Sequence, residues 1–335
     1  MEFIKNIKNF EDGGYDMIRT LVLYSSKYGS TREVAKIIAL VTGPAKYCSV
    51  DEFKPEYKEF EFIVVGSPIY QEKLDPSLID FVDKNREWLK ENPLSLFCTC
   101  LDKNGGLDQL RSFEEFIDTK ALSLKAIGGR LIMDELDQED LSLIKEFLKV
   151  VKLPFEDMNF YNPEEVVNYS MKLKSLKENL IVKIDDEKVK TAIDEFLTSH
   201  NTCTLSTGHI DRVRSTPIEY NYIDGFIYLL SEGGEKFANL ILNENVSVAV
   251  YEDYTGMNNL KGMQITGKAS IIEENGEEYN HVLKLKGLNV DVIQSLPMNM
   301  NMIKIAMEKV EFLNSKFKIK GADAKQIYNY QGFKS

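Results

Sequence analysis

The residues of this sequence best suited to chemistry are hydroxyls placed where a strand gives way to a helix. Segment 20–38 reads TLVLYSSKYGSTREVAKII, an apolar run followed by polar residues and then by helical spacing. Its polar part contains Ser25, Ser26, Tyr28, Gly29, Ser30 and Thr31. A sharp turn from strand to helix directs backbone N–H groups and the positive end of the helix dipole at one point. Because hydroxyls add donors and glycine permits close approach, the segment predicts a phosphate-binding turn.

Two common phosphate motifs are excluded in this turn. No Gly-Lys-Ser/Thr follows at the spacing of a nucleoside-triphosphate loop, and there is no G-x-G-x-x-G. An ordinary serine-rich turn between a strand and a helix is the alternative interpretation.

Two further segments follow apolar strands and are expected to lie beside this turn. Residues 59–66 (EFEFIVVG) predict a parallel strand covered on both faces. The residues directly after it are Ser67, Pro68, Ile69 and Tyr70. Thr99 lies at the end of the next predicted strand, 94–101. Since ligands of open α/β sheets bind beyond the carboxyl ends of the strands, both segments are candidates for the site, with a surface Pro-Tyr turn as the alternative.

The order of residues in segment 20–38 resembles the flavodoxin signature. After two aliphatic residues and an aromatic one come, in register, Ser26, Gly29, Thr31, Ala35 and Ile38. The resemblance implies FMN as the cofactor, with its phosphate held by hydroxyls and amides and without a basic residue. It further implies that Tyr70 stacks on the isoalloxazine ring and that Thr99 belongs to a third flavin loop. Within the family, residues 17–153 are most similar to the menaquinone-dependent protoporphyrinogen oxidases.

The first half of the chain alternates strands with helices. Predicted strands cover 21–24, 45–50, 59–66, 94–101 and 124–133, and predicted helices cover 76–91, 109–117 and 140–151. This alternation predicts a flavodoxin-like, doubly wound parallel α/β sheet over residues 17–153. Residues 1–16 precede Met17, where such a domain would naturally begin. They are interpreted as an N-terminal extension or as the product of an upstream start codon, and no function is assigned to them.

The second half changes from helical to strand periodicity. The charged, helix-prone segment 154–185 is interpreted as a connector, and a helical pattern at 185–199 opens the second domain, 186–335. From Cys203 onward, alternating segments and an Asp224-Gly225 turn signal indicate antiparallel strands. Further strands are predicted at 245–252, 262–272 and 310–318. Consecutive antiparallel strands with one helical insertion predict a small, mainly β barrel.

Four segments of this half resemble the FMN-binding split barrel of the pyridoxamine 5′-phosphate oxidase-like superfamily. They are 214–217 (RSTP), 231–240 (SEGGEKFANL), 245–247 (NVS) and 264–267 (QITG). The resemblance implies that Arg214 and Lys236 bind the FMN phosphate, with Ser215, Thr216 and Ser231 beside them. Arginine supplies a planar fork for phosphate and lysine a point charge. The alternative is a strand arginine and a helix lysine on a solvated face.

The same resemblance implies a homodimer and argues against one substrate. Gln264 and Thr266 match positions that approach the flavin from the partner subunit of a dimer. True pyridoxamine-phosphate oxidases bind their substrate with a C-terminal Arg-x-His, whereas residues 321–328 read GADAKQIY. The departure argues against a vitamin B6 substrate.

Composition limits the remaining classes of function. A chain of 335 residues with 43% hydrophobic residues indicates two domains. The formal net charge of −12 argues against a general nucleic-acid-binding protein, which needs a basic surface. No apolar run approaches the ~20 residues of a membrane span, and no signal-peptide pattern is present. The four cysteines form no disulfide framework. We therefore expect the protein to be located in the reducing cytoplasm.

No metal site is expected from the sequence. Cys98 and Cys100 point to the same face of a predicted strand, but without further cysteine or histidine they are interpreted as buried thiols. The three histidines, His200, His209 and His281, form no cluster with the spacing of metal ligands.

Two FMN-type modules in one chain predict an FMN-dependent oxidoreductase that meets a small-molecule substrate and a reductant. We expect the first domain to accept electrons and pass them to the barrel, which acts on a small conjugated molecule of the porphyrin, quinone or haem class. One alternative is a non-catalytic electron carrier or redox sensor. Another is an enzyme whose chemistry is confined to the barrel, such as a flavin reductase or a pyridoxamine-phosphate oxidase-like enzyme.

Overall fold

The computed structural model describes residues 17–151 and 154–330. The predicted extension, 1–16, lies outside the described residues. The chain divides into two compact units, and the boundary falls between Leu180 and Ile181. Within the described ranges, no helix combines the length and the apolar character that crossing a membrane requires.

The first unit contains a parallel sheet whose strands stand in the order β2-β1-β3-β5-β6. Their bounds are β1 (Thr20–Tyr24), β2 (Ala45–Ser49), β3 (Phe62–Tyr70), β5 (Leu94–Cys100) and β6 (Ser123–Gly128). A two-residue strand, β4 (Lys73–Leu74), returns antiparallel against the end of β3. This order places the switch point between β1 and β3, as in flavodoxin-like sheets. The predicted doubly wound parallel sheet is confirmed.

Helices cover both faces of this sheet. Their bounds are α1 (Ser30–Thr42), α2 (Pro76–Lys84), α3 (Arg86–Lys90), α4 (Lys103–Ile117), α5 (Gln138–Val151) and α6 (Pro163–Glu178). Successive strand residues enter opposite layers, because side chains alternate along a strand. Leu21 and Leu23 pack in the layer of α2 and α4, whereas Val22 packs in the layer of α1 and α6. The sheet is therefore held rigidly on both sides, and its strand ends are fixed.

Helix α6 lies inside the segment that the sequence assigns to a connector, and it packs into the first unit. It buries Val166 and Leu173 in the layer shared with α1. The hydroxyl of Tyr169 donates to the carbonyl of Leu96 in β5 at 3.2 Å. A short antiparallel pair, β7 (Arg130–Leu131) and β8 (Met158–Asn159), also ties the segment to this unit. Residues 158–178 thus form part of the packing around the first sheet.

The second unit is an antiparallel barrel. Its strands stand in the order β11-β10-β9-β12-β13-β14-β15, and β11 also pairs with β14, which closes the sheet. The bounds are β9 (Thr202–His209), β10 (Arg212–Ile223), β11 (Phe226–Ser231), β12 (Asn245–Tyr251), β13 (Lys261–Ile272), β14 (Asn301–Asn314) and β15 (Lys325–Asn329). The helices are α7 (Asp186–Ser199), α8 (Glu235–Leu240), α9 (Glu277–Leu285) and α10 (Val290–Gln294). Phe196 and Leu197 of α7 pack into the barrel core. The predicted split-barrel class is confirmed.

Several elements differ from the sequence-based expectation. Strand β3 runs to Tyr70 and not to Gly66, because β4 pairs with its last two residues. The helix predicted over 76–91 is interrupted at Asn85. In the barrel, β14 begins at Asn301, nine residues before the predicted start, and β15 was not predicted.

Candidate functional sites

The first candidate site lies at the carboxyl end of β1, where the chain turns into α1. We call it the first cradle and define it as residues 25–31 with Tyr70 and Thr99. Gly29 caps α1 with φ of +88°, a left-handed conformation that glycine adopts without strain. The Ser26 hydroxyl accepts hydrogen bonds from the N–H groups of Gly29 (3.1 Å) and Arg32 (3.4 Å). Two main-chain donors therefore converge on one oxygen at the helix start.

An aromatic side chain of β3 contacts the same turn. The half-buried ring of Tyr70 lies edge-on to the ring of Tyr28, with centroids 6.0 Å apart and an interplanar angle of 84°. Burial raises the pKa of Tyr70, and the backbone N–H groups of Lys27 and Tyr28 partly offset that rise. Main-chain donors thus converge on the hydroxyl oxygen of Ser26, and an anionic oxygen would be a stronger acceptor there.

The deeper part of the first cradle is lined by buried hydroxyls. The hydroxyls of Thr31 and Thr99 lie 2.8 Å apart, although the residues are distant in sequence. The Ser25 hydroxyl is buried and has no hydrogen-bond partner within the described chain. Such an orphaned group in a native structure calls for an unseen partner. These three hydroxyls fit the expectation of a phosphate held without a basic residue.

The other residues predicted for this cradle lie near the turn, and their observed contacts are with neighbouring strands and helices. Ser30 is the first, half-buried residue of α1. Pro68 is buried on β3 opposite Thr99, and Ile69 pairs with Leu74 in the β3–β4 hairpin. The Ser67 hydroxyl donates to the carbonyl of Pro68 at 2.8 Å and accepts from the N–H of Asp75 at 3.0 Å. Ser67 therefore braces the hairpin and does not face the turn as a free donor.

Two acidic residues that sequence reasoning missed hold the turn from the side of α5. The ammonium of Lys27 lies 2.6 Å from a carboxylate oxygen of Asp137 and 2.7 Å from one of Asp140. The Tyr28 hydroxyl donates to Asp140 and accepts from the N–H of Asp137. These carboxylates raise the pKa of Lys27. Because they also neutralise its charge, the first cradle has to rely on hydroxyls and main-chain dipoles.

The second candidate site lies in the barrel, around the start of α8. We call it the second cradle and define it as Arg214, Ser231 and residues 233–236. Lys236 is only 7% exposed, and its ammonium donates to the carbonyl of Gly233 at 2.6 Å. No carboxylate of the described residues lies within ion-pair distance of it. Burial lowers the pKa of Lys236; the charge of Glu232 opposes this effect and that of Arg214 adds to it. A buried ammonium without a direct ion-pair partner favours an anionic ligand.

Arg214 and Ser231 adjoin this lysine, whereas Ser215 does not. Arg214 lies on β10 opposite Thr207 and contacts a carboxylate oxygen of Glu235 at 3.2 Å, with both side chains more than half exposed. The buried Ser231 hydroxyl accepts from the N–H of Gly233 at 3.3 Å. Since side chains alternate along β10, Thr216 shares the face of Arg214 and Ser215 lies on the opposite face. The structure therefore brings together Arg214, Ser231 and Lys236.

Gln264 and Thr266 lie on the outer face of the barrel sheet. Both are exposed on β13, where they alternate with the buried Met263 and Ile265. Thr266 pairs in register with Ser247, Ser247 with Ser206, and Ser206 with Ser215. This row of hydroxyl residues shares a face with Ser215. Within one chain, Gln264 and Thr266 therefore do not join the cradle of Lys236.

One further buried polar residue borders the second cradle and was not assigned from sequence. Asn239 of α8 is 2% exposed, and its amide donates to the Thr207 hydroxyl at 3.2 Å. Its carbonyl oxygen has no partner among the described residues. Its position one turn after Lys236 was the signal available in the sequence.

Metal-binding groups are scattered. Residues 17–151 and 154–330 contain no group of three His, Cys, Asp or Glu side chains that is able to hold a metal ion. The four cysteines are free and buried. Both Cys98 and Cys100 pack against Gly106 of α4, where a Cβ atom would lie 2.6 Å from the sulfur of Cys100 and 3.0 Å from that of Cys98. The thiol pair thus fills space between β5 and α4.

Comparison with protein families assigns each unit to a different group. A model of the flavodoxin domain matches residues 21–156, and a model of pyridoxamine 5′-phosphate oxidase matches residues 189–314. Proteins of both families typically bind flavin. No curated protein matches the chain significantly.

Solved structures similar to this chain are distant. An FAD-binding protein from Mesorhizobium loti is 21% identical, with a TM-score of 0.29, over 36% of this chain and 89% of that one. A heme storage protein from Vibrio cholerae is 20% identical, with a TM-score of 0.31, over 36% and 89%. General stress protein 26 from Bacillus anthracis is 20% identical, with a TM-score of 0.31, over 42% and 98%. These likenesses are too distant to indicate a function.

Proposed function

We propose that this chain, which joins a flavodoxin-like domain to a pyridoxamine 5′-phosphate oxidase-like domain, is an FMN-dependent oxidoreductase with one flavin in each domain. The observation that carries the proposal is Lys236, a buried ammonium beside Arg214 that has no carboxylate within ion-pair distance among residues 17–151 and 154–330. Burying such a charge is costly unless an anion accompanies it. The phosphate of FMN supplies that anion, and the arginine supplies a second, forked contact.

In the first domain, the phosphate is held by neutral groups. Ser25, Thr31 and Thr99 provide buried hydroxyls, and the turn directs its main-chain donors toward oxygen atoms. A phosphate oxygen accepts such bonds more strongly than a hydroxyl does. The left-handed Gly29 keeps the approach to these donors open, since no atom lies within 4 Å of the position that a Cβ would take.

Bound FMN supplies the exchange of one or two electrons, and the protein supplies binding and orientation. We propose that electrons enter at the first domain and pass to the barrel, where the substrate binds. The substrate class, a porphyrin, quinone or haem, stays a prediction. Steady-state turnover of a reductant by the purified protein separates this oxidoreductase from an electron carrier or sensor, which would show none.

The stoichiometry of released flavin tests the proposal. Denaturation of the purified protein should release FMN, up to two per chain, identified by chromatography against FMN and FAD standards. Finding FAD, or no flavin after incubation of the folded protein with FMN, would contradict the proposal. A value near one would assign flavin to a single domain, which variants of Lys236 and Thr31 then identify.

We further propose that the barrel is a homodimer whose partner completes the second cradle. This accounts for Gln264 and Thr266, which are exposed on the face that carries Ser215 and away from Lys236 of the same chain. A two-fold interface uses the same patch twice, so each subunit would present these residues to the other. Light scattering should give about twice the 38.4 kDa of one chain. A monomer that retains barrel flavin would contradict the shared site.

A further inference from the structure

The carboxylate of Glu33 is an anion of the protein's own chain beside the first cradle. Glu33 lies in the first turn of α1, and its N–H donates to the carbonyl of Gly29 at 2.9 Å. Because helix side chains tilt toward the N-terminus, Glu33 is directed back over the turn that the proposed function assigns to the phosphate of FMN. A carboxylate there interacts with the positive end of the helix dipole. Without a partner, Glu33 would repel the phosphate and compete with it for the same positive potential.

Arg130 of β7 pairs with this carboxylate. Its guanidinium forms an ion pair with Glu33 and lies 4.6 Å from the centroid of the Tyr161 ring. That ring packs against the buried layer of α1 and α6. The N–H of Tyr161 donates to the side-chain oxygen of Asn159 at 3.1 Å, and Asn159 is the register partner of Arg130 in the β7–β8 pair. The arginine is therefore held between a packed ring and the carboxylate of Glu33.

We propose that Arg130 is a positioning residue of the first flavin site, because its pairing with Glu33 removes the charge that would oppose the phosphate at the start of α1. This inference rests on the proposed function, since it concerns the same phosphate site. It adds a rule of charge balance. Lys27 on one side of the turn is paired with carboxylates of α5, and Glu33 on the other side is paired with Arg130. Removing either member of the Glu33–Arg130 pair changes the local charge by one unit, and its sign decides the effect on FMN.

The test measures FMN affinity by quenching of flavin fluorescence at low ionic strength. The full chain carrying Arg214→Ala and Lys236→Ala serves as the parent, which confines binding to the first cradle. Arg130→Ala leaves Glu33 unpaired and should weaken FMN binding about three- to tenfold. Glu33→Gln leaves Arg130 uncompensated and should tighten binding by a similar factor. Because the variant with both changes restores neutrality, it should bind FMN within about twofold of the parent.

Arg86 provides a matched control in the layer of α2 and α4. It pairs with Asp83 at 2.6 Å and lies 4.2 Å from the centroid of the Phe116 ring, and its side chain is 32% exposed, as is that of Arg130. Arg86→Ala makes the same change in net charge and should leave FMN affinity within about twofold of the parent. At about 1 M salt, where charges are screened within ~3 Å, the differences among the Arg130 and Glu33 variants should fall below about twofold.

The outcomes separate this role from a structural one. A loss with Arg130→Ala that Glu33→Gln does not rescue, or that persists at about 1 M salt, would overturn the proposal, because a purely structural contact is neither rescued nor screened. Unchanged affinity with Arg130→Ala while FMN still binds, or an equal loss with Arg86→Ala, would also overturn it and leave the proposed function intact. Absence of FMN binding in the parent and in every variant would overturn both this role and the proposed first flavin site.

Discussion

The turn at 25–31 and the region 233–236 of the barrel differ in the source of the positive potential that each offers to a phosphate. In the first cradle, Lys27 is neutralised by Asp137 and Asp140, so the donors are hydroxyls and main-chain amides. In the second, the donors are two cations, Arg214 and Lys236. Dipolar donors act over a short range and depend on geometry, whereas charges act over a longer range and are screened by salt. The same ligand group is thus recognised in two ways within one chain.

Each cradle also contains an acceptor of its own chain in contact with its donors. The hydroxyl of Ser26 accepts from two amides of the first cradle. A carboxylate of Glu235 contacts Arg214 in the second. The neutral competitor should be insensitive to salt and pH, and the charged one should not. The effect of the same change in salt or pH on FMN affinity at each cradle therefore tests this comparison.

The largest effect is expected from removing both cations of the second cradle. Each charge-assisted hydrogen bond contributes about 1.5–3 kcal/mol, so Arg214→Ala with Lys236→Ala should weaken barrel flavin binding about a hundredfold or more. Flavin in the first domain should be unaffected. Titration of the flavin-free protein with FMN, followed by quenching and calorimetry, measures both sites.

A matched control removes two other cations from the same domain. Arg212 is exposed at the start of β10, and Lys268 pairs with Glu244 on the surface. Arg212→Ala with Lys268→Ala makes the same change in net charge and should leave barrel affinity within a few-fold of the parent. Equal losses in the two double variants would mean that general charge, and not the cradle, attracts the flavin.

The next largest effect is expected from pH. Burial lowers the pKa of Lys236 from the ordinary lysine value of 10.5. In the proposed site, Lys236 contributes a charge-assisted bond to the phosphate only while it is protonated. As pH rises through this lowered pKa, barrel affinity should fall, about ten- to a hundredfold when deprotonation is complete. The phosphate itself is already a dianion above pH ~7 and does not change in this window. First-site affinity should stay constant there, and Lys236→Arg should move the loss to higher pH.

A smaller effect is expected at the first cradle from Thr31→Val. The change keeps the shape of the side chain, removes the hydroxyl and leaves Thr99 without its 2.8 Å partner. Losing a neutral hydrogen bond costs about 0.5–1.5 kcal/mol, so FMN should bind there several-fold more weakly. Thr31→Ser, which retains the hydroxyl, should bind within about twofold of the parent. A stronger loss with Thr31→Ser than with Thr31→Val would contradict a hydroxyl contact.

The sequence was sufficient where the chemistry follows from strand ends. Thr31 and Thr99 meet because Thr31 follows β1 and Thr99 lies near the end of β5, and these strand ends lie at the same edge of the parallel sheet. The sequence was insufficient where the ion-pair partner of a site residue comes from an element that is distant along the chain and whose own sequence shows no unusual pattern. Asp137 and Asp140 resemble the acidic first turn of any helix, yet they neutralise Lys27.

The same limit applies to strand bounds. The almost continuous apolar run of residues 59–66 predicted a strand that ends at Gly66. The strand continues because β4 folds back on Ile69 and Tyr70, a contact between segments that no local pattern shows. In consequence the sequence expected Tyr70 in a loop, whereas Tyr70 is the last residue of β3 and its ring contacts that of Tyr28.

The smallest effect, Glu235→Gln, tests whether the second cradle also contains a competitor. The Arg214–Glu235 pair is 3.2 Å long and more than half exposed on both sides, and exposed pairs contribute only about 0.2–1 kcal/mol. Replacing the carboxylate by an amide should free Arg214 and tighten barrel FMN binding up to about fivefold at low salt. The gain should vanish at about 1 M salt, where charges are screened within ~3 Å, whereas the loss from Thr31→Val should persist. Glu244→Gln is the matched control. Weaker binding with Glu235→Gln would mean that the carboxylate positions Arg214 for the phosphate, and the second cradle would then differ from the first in having no internal competitor.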